Sequence, residues 1–170
     1  MAETNHPDTL ILMDEARIER TIRRIAFQIL EYYPEADDLV FLGIDSRGYA
    51  VSKSLAEIVS KAASVNIECH PIYPSRPEIP SKNHVEGKNV ILIDDVIFSG
   101  KTVIKSLKKI FEAGEPEAIQ LAVLVDRGHR QFPVYPEFTG TRYPTKLREH
   151  VSVQFDETNQ AFRVILDRNN

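Results

Sequence analysis

The chain has 170 residues, 42% of them hydrophobic and 27% charged, with a formal net charge of −4. That suits a single globular domain, residues 1–170, with a sizeable core. It gives no global field for attracting nucleic acid. No apolar run approaches the roughly 20 residues of a spanning helix, so no membrane partner is expected. The lone Cys69 excludes an intrachain disulfide framework and a cysteine-rich zinc site. The opening MAETNHPDTL lacks a basic region followed by a long apolar stretch, so a reducing cytoplasm is the expected compartment.

The first predicted element is a helix over about residues 14–32, with Ile18, Ile22, Ile25 and Ile29 at helical spacing and Asp14 as N-cap. Leu39 to Ile44 reads as a buried strand ending in Asp45-Ser46-Arg47-Gly48, followed by a helix over about 49–61. Val65 to Ile72 reads as a further strand. From His70 to Lys88, Pro71, Pro74, Pro77 and Pro80 recur every third residue. That spacing predicts an extended path, either a stiff flap over a pocket or a connector. Val90 to Ile93 is the next strand, and Thr102 to Glu112 a helix closed by Gly114. Ile119 to Val125 is another buried strand. Prolines at 133, 136 and 144 then break the pattern, and Val151 to Phe155 with Phe162 to Leu166 predict a hairpin turning through 156–160. Strand–helix alternation gives an α/β fold with a mainly parallel central sheet and flanking helices.

The chemistry concentrates in Val90 to Thr102, VILIDDVIFSGKT. An apolar strand delivers Asp94 and Asp95 to a sheet edge, and a small polar turn then opens a helix whose first N–H groups lack partners. Neighbouring strand residues face opposite ways, so both acids are not core residues, and a buried unpaired carboxylate is costly. Carboxylates accept hydrogen bonds from vicinal hydroxyls, while Ser99, Gly100 and Thr102 suit an anion. A phosphorylated sugar meets both requirements. Gly100-Lys101-Thr102 matches the end of a nucleotide-binding P-loop, but that motif requires glycine where Asp95 stands. Ser46, Arg47 and Gly48 offer a hydroxyl, a cation and backbone N–H groups suited to a diphosphate.

VILIDDVIFSGKT closely resembles the phosphoribosyl-pyrophosphate (PRPP) motif of type I phosphoribosyltransferases. Ile119 to Val134 (IQLAVLVDRGHRQFPV), the opening ILMDEARIERTIRRIAFQILE and the later TGTRYPTK are similar to the PyrR family, pyrimidine-operon attenuators that also act as uracil phosphoribosyltransferases. The resemblance implies a type I phosphoribosyltransferase fold with a small hood from residues about 65–88 and the chain ends. It implies transfer of ribose 5-phosphate from PRPP to uracil, giving UMP and pyrophosphate, with Mg²⁺ held mainly through PRPP and not by direct protein ligands. Catalytic roles fall to Asp94, Asp95 and Arg47. PRPP contacts fall to Ser46, Arg47, Gly48, Asp94, Asp95, Val96, Phe98, Ser99, Gly100, Lys101 and Thr102. Uracil contacts fall to Val125, Asp126, Arg127, Gly128 and His129. A homo-oligomer is also implied.

Two departures qualify the resemblance. PyrR proteins usually carry a Tyr-Arg-Asp-Asp run followed by a long flexible loop; here the stretch reads Ile72-Tyr73-Pro74-Ser75-Arg76, with Pro77 after it. Phe27 stands where a polar RNA-contacting residue is expected, and Leu147, Glu149 and His150 interrupt a more serine- and lysine-rich stretch. The alternatives are a PRPP- or uridine-nucleotide-sensing regulator, contacting RNA through Arg17, Arg20, Arg24, Arg142, Lys146 and Arg148, and a phosphoribosyltransferase for another base.

Overall fold

A computed structural model describes residues 9–146, 148–156 and 161–168. The expected hairpin turn therefore lies largely outside the described residues, as do Leu147 and the first eight residues. The elements are β1 (Thr9–Met13), α1 (Glu15–Tyr32), β2 (Leu39–Ile44), α2 (Asp45–Ala63), β3 (Glu68–Ile72), a 3₁₀ turn (Lys82–His84), β4 (Asn89–Ile97), α3 (Lys101–Ala113), β5 (Ala118–Asp126), β6 (Phe138–Arg142), β7 (His150–Asp156) and β8 (Ala161–Asp167).

Five strands form a parallel sheet in the order β3-β2-β4-β5-β6. The chain ends form a second, antiparallel sheet in the order β1-β8-β7. Burial on both faces explains the near-continuous apolar runs of β2 and β4. Alternation along each strand divides their side chains between two layers. Phe41, Ile91 and Ile93 pack with α1, α2 and the antiparallel sheet. Val40, Leu42, Val90 and Leu92 pack with Val103 and Ile110 of α3.

Each helix follows from local chemistry. Asp14 caps α1, its carboxylate accepting from the Arg17 N–H at 2.8 Å. Helix α2 begins directly at Asp45, four residues earlier than the sequence predicts, because Asp45 takes a left-handed φ of 52° and turns the chain straight out of β2. The Asp45–Gly48 stretch is therefore a first helical turn and not a loop. Helix α3 begins at Lys101, after a left-handed Gly100.

Two further expectations are corrected. Residues 68–72 are an edge strand of the main sheet and not part of the hood, which the chain ends build. Pro71 is tolerated there because an edge strand has one unpaired side. The proline repeat does not run on as one extended path: Arg76 N–H bonds to Tyr73 O at 3.1 Å, and Lys109 Nζ donates to the carbonyls of Arg76 and Glu78 (2.8 Å to the latter). Strands β1 and β6 are additional elements. Prolines 133, 136 and 144 hide β6 in the sequence by bracketing it closely.

Candidate active site

Strand order reverses between β2 and β4, since β3 lies on one side of β2 and β4, β5 and β6 on the other. Open parallel sheets bind ligands outside the carboxyl ends of strands at such a switch point. A cleft of about 510 Å³ lies there. Arg47 from α2, Asp94 to Ile97 from β4, Phe98 to Gly100 from the turn and Thr102 and Val103 from α3 form much of its wall. Arg127 follows β5, and Arg148 to Val151 come from the far end of the chain.

Asp94 is buried and Asp95 half-buried. The Asp95 N–H donates to Asp94 Oδ1 at 2.9 Å. Burial pushes Asp94 well above the usual carboxylate range, and the negative charge of Asp95 adds to the push. Burial also raises Asp95, with a hydrogen bond from Asp94 and the Arg47 guanidinium opposing the rise. Among the described residues neither carboxylate forms an ion pair. Such an uncompensated pair is a standing cost that hydroxyl donors or a nearby cation would relieve. The donor set therefore fits a ribose and accommodates Mg²⁺ beside it.

At the start of α3 the first helical bond runs from Ile104 N–H to Gly100 O at 3.0 Å, leaving the Thr102 and Val103 N–H groups ahead of it. Ser99 Oγ accepts from Lys101 N–H at 3.3 Å. Gly100 holds φ 84°, and an added Cβ would stand 2.4 Å from Val134 Cγ2. Gly48 lets α2 approach β4, since a Cβ there would lie 2.7 Å from Ile93 O. The helices α2 and α3 thus both bring N-terminal turns to the cleft.

The PRPP residues expected from sequence gather as a group, except that Ser46, Gly48 and Lys101 lie outside the cleft wall. Gly48 acts beneath it, through packing. The expected uracil stretch divides more sharply. Only Arg127 reaches the wall. Val125 and Asp126 are buried; the Asp126 carboxylate accepts from the Gly128 N–H at 2.8 Å and from Arg130 at 2.8 Å. His129 Nε2 pairs with Thr145 O at 2.6 Å. These groups shape the turn that holds Arg127. That guanidinium lies 4.3 Å from the Phe98 ring centre, donates to Thr145 Oγ1 at 2.9 Å and reaches Glu149 O. Burial lowers its pKa, with Glu149 opposing.

Arg148, Glu149, His150 and Val151 are wall residues that the sequence does not assign to this cleft; Arg148, expected as an RNA contact, lines it instead. The available signal was the departure of Glu149 and His150 from the expected serine- and lysine-rich pattern. No residue of the proline segment 73–88 lines the cleft, and Arg76 instead packs over the Tyr73 ring at 4.0 Å.

The phosphoribosyl transferase domain family matches residues 9–157, so fold, cleft and sequence define a phosphoribosyltransferase. Among solved structures, the hypoxanthine phosphoribosyltransferase of Trypanosoma cruzi superposes with a TM-score of 0.75 at 18% identity, covering 94% of this chain and 97% of that one. The HGPRT-ase of Leishmania tarentolae, in complex with GMP, gives 0.74 at 17% identity, covering 92% and 96%. At that identity these two establish the fold. Closer in sequence, the Bifunctional protein PyrR of Geobacter sp. (strain M21) is 34% identical over 175 residues, covering 95% of this chain and 99% of its own. That of Streptomyces coelicolor is 38% identical over 164 residues, covering 88% and 84%. The chain belongs to the PyrR family.

Proposed function

We propose that this phosphoribosyltransferase moves ribose 5-phosphate from PRPP to uracil, releasing pyrophosphate and UMP. The observation that carries the PRPP half is the meeting of two unpaired carboxylates with the first turn of α3 in one cleft. Uracil rests on the family resemblance.

In this reading Asp94 and Asp95 accept hydrogen bonds from the ribose hydroxyls. Thr102, Val103 and Ser99 hold the 5′-phosphate with N–H and hydroxyl donors. Arg47 and the start of α2 receive the diphosphate and stabilise charge as it departs. Bond breaking at the anomeric carbon develops positive charge, which the two carboxylates favour. Mg²⁺ held with PRPP beside Asp94 and Asp95 would supply charge that neutralises the leaving group. The base sits against Phe98 and Arg127, with Arg148 to Val151 closing the other side. No side chain in the cleft is assigned as general base, so positioning and electrostatics carry the rate.

Turnover with PRPP, Mg²⁺ and a panel of free bases tests this. UMP formation is expected, reduced about a hundredfold or more in Asp95→Asn. Arg47→Ala should weaken pyrophosphate use in the reverse reaction about tenfold or more, the effect of losing a charged hydrogen bond. Transfer to a purine alone, or an Asp95→Asn enzyme of normal rate, would sink the reading.

A second activity on RNA has one observation in its favour. Arg17, Arg20 and Arg24 share a face of α1. Arg24 reaches the Thr139 and Gly140 carbonyls of β6 (3.3 Å to Thr139 O), and Arg17 lies 5.7 Å from the Tyr143 ring centre. Tertiary packing thus joins the helix stripe to exposed Arg142. Homo-oligomerisation and a cytoplasmic location belong to the same reading. Among the described residues, no helix is long and apolar enough to cross a membrane.

A further inference from the structure

Away from the cleft, a second group of chemically capable side chains meets at the outer edge of the main sheet. Glu68 and His70, two residues apart on β3, share one face of that edge strand. His84 comes from the 3₁₀ turn at the end of the proline segment. Glu68 Oε2 lies 3.2 Å from His70 Nε2 and 3.7 Å from His84 Nε2. The two imidazoles stack with centres 3.6 Å apart and planes 9° from parallel.

We propose that Glu68, His70 and His84 form a divalent transition-metal site that takes Zn²⁺ through two imidazole nitrogens and one carboxylate oxygen.

Donors about 2.0–2.1 Å from a tetrahedral ion stand about 3.4 Å from one another, which the two measured spacings bracket. The three donor atoms all fall within 4.8 Å of one another. Two histidines and a glutamate form a known class of zinc ligand set, with a fourth position left for water. Mg²⁺ prefers oxygen donors, so this set is chemically distinct from the cleft. Lys88, the nearby cation, is already paired with Asp38 at 2.6 Å and does not occupy the carboxylate. A bound ion needs the two rings to tilt out of their parallel stack so that both lone pairs converge. His70 and His84 are half-buried and Glu68 is exposed, which leaves the site open to solvent.

Such an ion would tie β3 to the 3₁₀ turn and close the chain on both sides of residues 73–81. Lys109 already holds that segment against α3. The site is independent of the transferase reading and would stand if that reading failed.

Calorimetric titration of the untagged, chelator-stripped full chain with ZnCl₂ tests the proposal. One equivalent should bind, with His70→Asn and His84→Asn each weakening it tenfold or more and His129→Asn leaving it unchanged. Co²⁺ should give the visible d–d bands of a tetrahedral site in the wild type and not in these variants. Should the histidine variants fold poorly, Glu68→Gln replaces an exposed side chain and must likewise weaken binding. Wild-type uptake no tighter than that of the double variant His70→Asn/His84→Asn, or affinity untouched by Glu68→Gln, would overturn the site.

Discussion

In the proposed mechanism, Asp94 is where function and stability oppose each other most directly. Its carboxylate is buried without an ion pair among the described residues and is held above its usual range by burial and by Asp95. A raised folded-state pKa means that folding favours the protonated form. Below the unfolded carboxylate value of about 3.9, both states carry the proton and the site costs nothing. As pH rises through that value, the unfolded chain ionises first and stability falls, until the folded carboxyl also loses its proton. Asp94→Asn keeps the shape and still accepts the Asp95 N–H, so it should be the more stable protein at pH 8. Each kcal/mol gained would raise Tm by about 2–4 °C. Calorimetric scans should show the gap narrowing towards pH 4, while turnover stays low throughout. A variant less stable than the parent at pH 8 would contradict the charge argument. Arg127 differs in kind: its buried cation has the Phe98 ring, Thr145 and Glu149 O around it, and it links the β5 turn to the segment leading into β7.

At the scale of elements, the start of α3 depends on one backbone position. Gly100 combines a left-handed φ of 84° with a Cβ position 2.4 Å from Val134 Cγ2. Gly100→Ala should cost about 1–2 kcal/mol for the backbone and about 1–3 more for the clash. Denaturant titration would measure that loss, and Val134→Ala in the same chain should recover only the steric share. In the proposed site this turn holds the 5′-phosphate and moves with Gly100, so KM for PRPP should rise in both variants. A wild-type KM would separate the turn from the phosphate. The neighbouring α2 shows a related device, a left-handed Asp45 that lets the helix start without a linker. Non-glycine residues held in that region cluster at functional sites.

Across the whole molecule, the two sheets complete one cleft from distant parts of the chain. The acids come from β4 near the middle of the sequence, and Arg148 to Val151 enter beside the antiparallel sheet of the chain ends. Charge is also organised at this scale. A net charge of −4 coexists with an arginine-bearing face of α1 that packs against β6. If that face takes single-stranded RNA through Arg17, Arg20, Arg24 and Arg142, log affinity should fall with log salt at a slope of about −3. Arg20→Glu with Arg142→Glu should then remove binding while UMP formation continues. Salt-independent binding, or binding unaffected by the double variant, would place RNA elsewhere.

The elements most legible in the sequence were those whose burial is set locally. β2, β4 and β5 are apolar because both faces are covered, and α1 and α3 carry their periodicity in a few isoleucines, valines and leucines. The acid pair and the following turn were legible for the same reason: strand, carboxylates and helix start are contiguous. Residue order did not reveal that β3 joins the main sheet, that β6 lies between prolines, or that Asp126 is committed to Arg130. Nor did it reveal Arg148 to Val151 as the far wall. Local sequence determines backbone preference and which faces must be buried, whereas pairing partners and cleft walls are decided by contacts between residues far apart in the chain.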